Sequence, residues 1–177
     1  MTAHQAALEA LTRYFGYDSF RPGQQGIVEA LLAGRDVLGV MPTGAGKSVC
    51  YQIPAALSPG MTLVISPLIS LMRDQVDALN DLGLPAAFIN TTQTPDEQAM
   101  VFAQAAAGQI KLLYVAPERL ETGRFRDFAA RTPISLIAVD EAHCVSQWGQ
   151  DFRSSYLGIG DFIAGLPQRP PAVSYTH

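Results

Sequence analysis

Short apolar runs alternate along this chain with stretches of helical periodicity. Each run is four to six residues long, ends in a polar turn and predicts a buried strand. The predicted strands cover residues 37–40, 62–65, 86–89, 110–115 and 136–139. The predicted helices lie at about 21–33, 47–57, 68–81, 94–107 and 124–130.

This alternation predicts an α/β fold with a mostly parallel central sheet flanked by helices, because strands that are apolar on both faces must be covered on both sides. Thr94-Pro95-Asp96-Glu97 adds a capping box, with proline at the first helical position. Ligands of such folds bind beyond the carboxyl ends of the strands. The turns that follow the strands are therefore the places to look for chemistry.

The turn after the first predicted strand is the glycine-rich segment Met41-Pro-Thr-Gly-Ala-Gly-Lys-Ser48. A strand, a glycine-rich turn and a helix start direct backbone N–H groups and the helix dipole at one point, where a polyphosphate binds. Met41 replaces the first glycine of the phosphate-loop pattern G-x-x-x-x-G-K-[ST], so one position departs from it. The segment predicts that a nucleotide is held by Thr43, Gly44, Ala45, Gly46, Lys47 and Ser48, with Ser48 also binding Mg²⁺.

Two carboxylates follow the strand predicted at 136–139. Asp140 is placed to hold the Mg²⁺ that Ser48 also binds, and Glu141 is placed to orient or deprotonate the attacking water. An Asp-Glu pair alone is usually a solvated turn, but this pair lies 93 residues after Lys47 (140 minus 47) in a fold that brings strand ends together. His143 alone is equally consistent with an ordinary polar group in a turn.

Composition fits one globular domain of 177 residues, with 48% hydrophobic and 16% charged residues. The sequence lacks a signal peptide and a membrane-length apolar run, so we expect a cytoplasmic protein that does not enter membranes. A formal charge of −4 argues against a strong sequence-independent grip on nucleic acid. Cys50 and Cys144 do not form a metal-binding pattern, and buried thiols are the simpler interpretation.

Several motifs in order along the chain resemble the RecQ family of ATP-dependent DNA helicases, within helicase superfamily 2. Met41 is usual in that family. The motifs are Phe15-Gly16-Tyr17, Phe20-Arg-Pro-Gly-Gln24, Met41–Ser48 continuing as Cys50-Tyr-Gln-Ile-Pro54, Ser66–Gln75, Tyr114–Leu120 and Asp140-Glu-Ala-His143 through Phe152-Arg153.

The resemblance implies that residues 1–177 are the first RecA-like ATP-binding domain of a helicase, with an adenine-recognition segment at about 8–30. It assigns Tyr17, Arg21 and Gln24 to the adenine of ATP, where the amide of a glutamine can pair with N6 and N7. By itself, Phe-Arg-Pro-Gly-Gln is an ordinary proline-containing turn. The implied cofactors are ATP and Mg²⁺, with catalysis by Lys47, Asp140 and Glu141.

The same resemblance assigns DNA contacts and their coupling to ATP hydrolysis to an aromatic-rich loop and to a serine after the second predicted strand. Trp148 and Phe152 would stack on unpaired bases, although aromatics at this spacing commonly pack in a core. The segments 66–75 and 116–120 resemble two family motifs that contact the backbone of single-stranded DNA, and both are equally consistent with ordinary strand-to-helix turns. We expect single-stranded or duplex DNA to bind this chain only weakly. The assigned residues are His143, Trp148, Gln150, Phe152, Arg153 and Ser66.

Two departures from the family affect the expected activity. Gln150 stands where the family has histidine, and the chain ends in Val173-Ser-Tyr-Thr-His177 instead of continuing with an Ala-Leu-Thr-Ala-Thr-Ala motif. The resemblance implies a second RecA-like domain in the family, commonly followed by a zinc-binding region and a winged helix, and we expect none of these within the 177 residues. Because the second domain supplies an arginine finger, we expect the isolated chain to bind Mg·ATP, hydrolyse it poorly and fail to unwind duplexes.

The function predicted from the sequence is the ATP-binding half of a 3′-to-5′ DNA helicase acting in DNA repair and recombination at the nucleoid. A non-catalytic nucleotide- or DNA-binding module is the alternative. A GTPase is disfavoured because the Asn-Lys-x-Asp guanine signature is missing, and the Asp-Glu-Ala-His box disfavours a small-molecule kinase. An RNA helicase is a nearer competitor, which the Phe-Arg-Pro-Gly-Gln segment and the loop after His143 disfavour.

Overall fold

The computed structural model describes residues 1–40, 46–140 and 158–176. These residues form a six-stranded sheet in which all strand pairings are parallel, in the order β1-β6-β5-β2-β4-β3. The strands are β1 Val37–Val40, β2 Met61–Ile65, β3 Ala86–Ile89, β4 Leu112–Val115, β5 Ile134–Val139 and β6 Ala172–Thr176. The predicted fold class is therefore confirmed.

Helices cover both faces of the sheet. The helices are α1 Ala3–Ala10, α2 Gln24–Leu32, α3 Lys47–Leu57, α4 Ile69–Asp81, α5 Pro95–Ala106 and α6 Gly123–Arg131. A π-helical turn at Leu11–Phe15 continues α1, a 3₁₀ turn spans Pro117–Glu121, and residues 158–164 are helical. Helices α2, α3 and α4 pack on one face, while α5, α6 and residues 158–164 pack on the other. None of the helices in this part of the chain is long and apolar enough to cross a bilayer.

The alternation of side chains along β2 explains this two-sided core. Val64 packs with the helices of the first face, whereas Leu63 and Ile65 pack with those of the second. All five residues of β2 are buried, as expected for a central strand that is covered on both sides.

Most predicted elements are confirmed within three residues of their bounds, and local chemistry explains the differences. Helix α2 begins at Gln24 and not at residue 21, because Gly23 adopts a left-handed conformation (φ +89°) just before it. Thr94 caps α5 through the predicted capping box with Glu97. Helix α1 and strand β6 were not predicted from the sequence. Strand β6 is formed by the same terminal residues that depart from the family motif.

A side-chain bridge fixes the start of β6 beside the start of β1. The guanidinium of Arg169 donates to both carboxylate oxygens of Asp36, at 3.0 and 2.7 Å. The Ala172 backbone N–H also donates to Asp36, at 3.0 Å. These hydrogen bonds to the ionised form, the one from Arg169 above all, lower the pKa of Asp36 from its ordinary value of 3.8.

We predict that Asp36→Asn lowers the midpoint of thermal unfolding at pH 7 by at most about 4 °C, since the bridge is largely exposed. Because the folded-state pKa of Asp36 is lowered, its contribution is complete above pH 3.8 and is lost as the pH falls through the folded-state pKa. Thermal unfolding at several pH values should therefore show the two proteins converging in acid. Asp77→Asn, at an exposed position of α4, is the control. An unchanged difference between pH 7 and pH 3 would contradict the role of Asp36.

Candidate nucleotide-binding site

The residues predicted to bind phosphate and metal meet at the carboxyl edge of the sheet. Lys47 is the first residue of α3, which follows the turn after β1. Asp140 directly follows β5, and its backbone N–H donates to the carbonyl of Ile65 at 2.8 Å. This bond extends the pairing of β5 with β2 by one residue and fixes the position from which the Asp140 carboxylate projects.

Lys47 and Asp140 form an ion pair, with Lys47 Nζ 3.6 Å from Asp140 Oδ1. The side chains are 18% and 7% exposed, so both charges lie largely out of water. The separation exceeds that of a tight charge-assisted hydrogen bond, about 2.7–2.9 Å. A cation suited to phosphate oxygens thus lies beside an anion suited to a metal.

The oxygen groups here fit Mg²⁺, which prefers carboxylate and other oxygen ligands. Asp140 supplies a buried carboxylate, and Ser48, the second residue of α3, supplies a half-buried hydroxyl group. Among the described residues, clusters of three or more metal-binding side chains do not occur.

Gly46, the residue before α3, is fixed by Gln24 of the segment predicted to bind adenine. The Gln24 side-chain amide donates to the Gly46 carbonyl at 2.9 Å, and its oxygen accepts from the Arg21 backbone N–H at 2.8 Å. Gly46 has φ +73°, and a Cβ at this position would lie 2.6 Å from Gln24 Nε2. Only glycine meets both requirements, left-handed backbone and close approach.

The structure brings two of the three predicted adenine residues to the start of α3. Gln24 is 4% exposed, and an Arg21 Nη1 atom lies 3.7 Å from the position of a Gly46 Cβ. Tyr17 lies at the surface and is half exposed. The predicted adenine contacts remain predictions, but the link from Gln24 to the phosphate-loop residue Gly46 was not anticipated from the sequence.

The Ser66 hydroxyl is buried and hydrogen-bonded within the protein, whereas a hydroxyl that contacts DNA must reach the surface. The residue is 1% exposed, and its Oγ accepts from the Leu68 backbone N–H at 3.2 Å. In this structure the hydroxyl stabilises the turn that leads into α4. Contact with DNA at Ser66 stays a prediction.

The two segments that resemble DNA-contacting motifs border a common groove of about 470 Å³ at the carboxyl edge. The groove combines hydroxyl, amide, carboxylate and guanidinium groups. Its lining consists of Ile69, Asn90, Thr91, Ala116, Glu118, Arg119 and Thr122.

The remaining predicted site residues lie outside the described residues. They are Thr43, Gly44, Ala45, Glu141, His143, Trp148, Gln150, Phe152 and Arg153. Cys144 also lies outside them, whereas Cys50 is buried as expected, and burial raises the pKa of its thiol to about 12. Cys50 is therefore a protonated, unreactive thiol at neutral pH.

Sequence reasoning missed one polar pair beneath the site. The hydroxyl groups of Tyr51 and Tyr114 lie 2.9 Å apart in the core. Both tyrosines lie in the quoted family motifs, but neither was given a role from the sequence. The feature of the sequence that could have indicated one is the spacing of Tyr51, which lies one helical turn after Lys47.

Comparison with known proteins agrees with this geometry. The sequence matches the DEAD/DEAH box helicase family over residues 21–173. It is 51% identical to the ATP-dependent DNA helicase RecQ of Haemophilus influenzae over 93% of this chain, and 46% identical to that of Bacillus subtilis over 96% of it. These matches span 26% and 29% of the two relatives, so the chain covers about a quarter of their length.

Two solved structures share the fold. The Mycobacterium smegmatis helicase Lhr, bound to single-stranded DNA and AMP-PNP, superposes with a TM-score of 0.72 at 19% identity, covering 97% of this chain and 24% of Lhr. A hypothetical ATP-dependent RNA helicase from Sulfolobus tokodaii gives 0.73 at 20% identity, covering 97% of this chain and 50% of the other. Both matches identify the RecA-like fold. With the family match and the sequence relatives, they show that the chain belongs to the DEAD/DEAH box helicase family and has a sequence of the RecQ type.

Proposed function

We propose that this chain is the ATP-binding half of a RecQ-like, ATP-dependent 3′-to-5′ DNA helicase and binds Mg·ATP at the carboxyl edge of its sheet. The observation that carries the proposal is the ion pair between Lys47 and Asp140. It joins the end of a phosphate-loop sequence to the first carboxylate of an Asp-Glu-Ala-His box, and these are the two halves of a nucleotide-hydrolysing site.

Each residue at this edge has a distinct role in the proposal. Lys47 neutralises the outer phosphates, while the backbone amides of the loop that ends at Gly46 surround them. Ser48 and Asp140 hold Mg²⁺, which draws charge from the phosphate oxygens. Glu141 orients the attacking water and accepts its proton.

Recognition of adenine falls to Tyr17, Arg21 and Gln24. The bond from Gln24 to Gly46 supports this assignment, because it connects the adenine segment directly to the phosphate loop. Because the Gln24 amide holds Gly46, binding of adenine at Gln24 would also affect the position of Gly46, next to the phosphate-binding Lys47.

DNA contact is proposed for the carboxyl-edge groove and for the aromatic-rich loop at residues 143–153. The names of the RecQ relatives and the DNA-bound state of Lhr support DNA as the partner. Thr91 and Arg119 give the groove donors for phosphate oxygens. The net charge of −4 limits the affinity of this chain alone.

Unwinding belongs to a longer protein in this proposal, because the chain spans only about a quarter of its RecQ relatives. A second RecA-like domain would close over ATP and supply the arginine finger. Roles in DNA repair and recombination, and a cytoplasmic, nucleoid-associated location, are proposed by the same analogy.

We predict that Lys47→Met weakens binding of a fluorescent ATP analogue with Mg²⁺ by at least about thirtyfold, because it removes a largely buried charge from the phosphates. Fluorescence titration measures the effect. Lys111→Met is the charge-matched control, because Lys111 donates to the Ser58 carbonyl at the opposite end of the sheet. The proposal fails if both variants retain the affinity of the unmodified chain.

Alanine substitutions at two glycines separate the effect of backbone strain on stability from the effect of a collision with Gln24 on nucleotide binding. Gly46→Ala and Gly83→Ala both force an alanine into a left-handed conformation, at a cost of about 1–2 kcal/mol in the free energy of unfolding. Only an alanine at residue 46 collides with Gln24, whereas a Cβ at Gly83 meets no atom within 4 Å. Urea unfolding should therefore show comparable losses, while titration shows at least a tenfold loss of Mg·ATP affinity for Gly46→Ala alone. Equal nucleotide affinities of the two variants would contradict the account of Gly46.

A further inference from the structure

Two tyrosine hydroxyl groups face each other inside the core below the candidate site. Tyr51 on α3 and Tyr114 on β4 are 1% and 0% exposed, and their oxygens lie 2.9 Å apart. Buried hydroxyl groups are costly unless they are hydrogen-bonded, whereas phenylalanine would fill nearly the same volume without a polar atom. The pair therefore requires an explanation beyond packing.

The tyrosine pair lies one level below the ion pair. Tyr51 is four residues after Lys47, so both side chains project from the same side of α3. Tyr114 is level with Ala138 of β5, since both pair with Val64. Asp140 lies two residues beyond Ala138, on the same face of the sheet. Helix α3 is thus connected to the strands twice, through Lys47 to Asp140 and through Tyr51 to Tyr114.

The Asp140 carboxylate of the ion pair also influences the Tyr114 hydroxyl electrostatically. Burial raises the pKa of Tyr114 above its ordinary value, and the negative charge of Asp140 adds to this effect. The hydrogen bonds that Tyr114 makes with the side chains of Tyr51 and Gln52 act in the opposite direction. Tyr114 therefore stays protonated at neutral pH.

We propose that Tyr51 and Tyr114 are positioning residues that fix α3 against the sheet and so set the separation of Lys47 from Asp140 for binding Mg·ATP. The proposal rests on the proposed function, because it assigns these tyrosines to the same nucleotide site. It adds a specific consequence. Because α3 also carries Ser48, loss of the tyrosine pair should shift Ser48 relative to Asp140 and reduce mainly the part of nucleotide affinity that depends on Mg²⁺.

Tyr51→Phe, Tyr114→Phe and the double variant test this consequence in the 177-residue chain. A fluorescent ATP analogue is titrated with excess Mg²⁺ and, separately, with EDTA. We expect Tyr114→Phe to reduce affinity about tenfold with Mg²⁺ and less than twofold with EDTA. The double variant removes both hydroxyl groups together, so neither tyrosine oxygen is left without its tyrosine partner, although Gln52 loses its bond to Tyr114 as it does in Tyr114→Phe.

A matched control removes a hydroxyl group elsewhere. Thr62 is buried in β2 beside Leu112 and Leu136, toward the amino ends of the strands, and we expect Thr62→Val to leave the Mg²⁺ dependence unchanged. Urea unfolding of every variant reports stability. If affinity falls equally in Mg²⁺ and in EDTA, in proportion to a lowered unfolding midpoint, the tyrosines have only a structural role and the proposal is overturned. Affinities equal to those of the unmodified chain would also overturn it.

Asp140→Asn separates failure of this inference from failure of the proposed function. If it leaves the Mg²⁺-dependent gain in affinity intact, the proposed metal site itself is wrong. If it removes that gain while all tyrosine variants retain it, the nucleotide site stands and only the positioning role is rejected. Loss of the gain in both sets of variants, with stability preserved, supports both.

Discussion

Strand β6 lies between the two strands that lead into the candidate site, and the geometry of the site depends on this insertion. Lys47 begins the helix that follows β1 along the chain, and Asp140 directly follows β5, so two strand spacings, about 10 Å, separate the two strands from which they come. Helix α3 begins where the long Lys47 side chain can span that gap, with Nζ 3.6 Å from Asp140. Because Asp36 bonds to Arg169 and Ala172, the amino end of β6 is fixed beside β1, at the opposite edge from the chemistry.

Three contacts then hold α3, two to the strands of the sheet and one to α2, and each acts on a different part of the site. The Lys47–Asp140 pair acts on phosphate and metal, and the Gln24–Gly46 bond acts on the turn that precedes the helix. The Tyr51–Tyr114 pair acts one helical turn below. A nucleotide that contacts base-binding, phosphate-binding and metal-binding residues would therefore act on all three contacts, because each of them involves α3 or the residue before it.

The sequence predicted the sheet well because its central strands are short, apolar on both faces and followed by polar turns. It did not predict β6, because Ala172-Val-Ser-Tyr-Thr176 mixes polar and apolar residues, and its strand conformation comes from pairing with β1 and β5. Lys47 and Asp140 were predicted correctly as neighbours, since parallel strands end at one edge. The Gln24–Gly46 and Tyr51–Tyr114 contacts join residues 22 and 63 positions apart through side chains, which local patterns do not encode.

The most direct test of the account is a double-mutant cycle on Lys47 and Asp140, with Mg·ATP affinity measured by calorimetry for the unmodified chain, Lys47→Met, Asp140→Asn and the double variant. If both side chains belong to one centre, the two losses should be strongly non-additive, with a coupling of at least about 1 kcal/mol. Losses that add within about 0.5 kcal/mol would mean that Lys47 and Asp140 act on separate ligands or on none. That result would contradict the central claim that this edge of the sheet is a single nucleotide site.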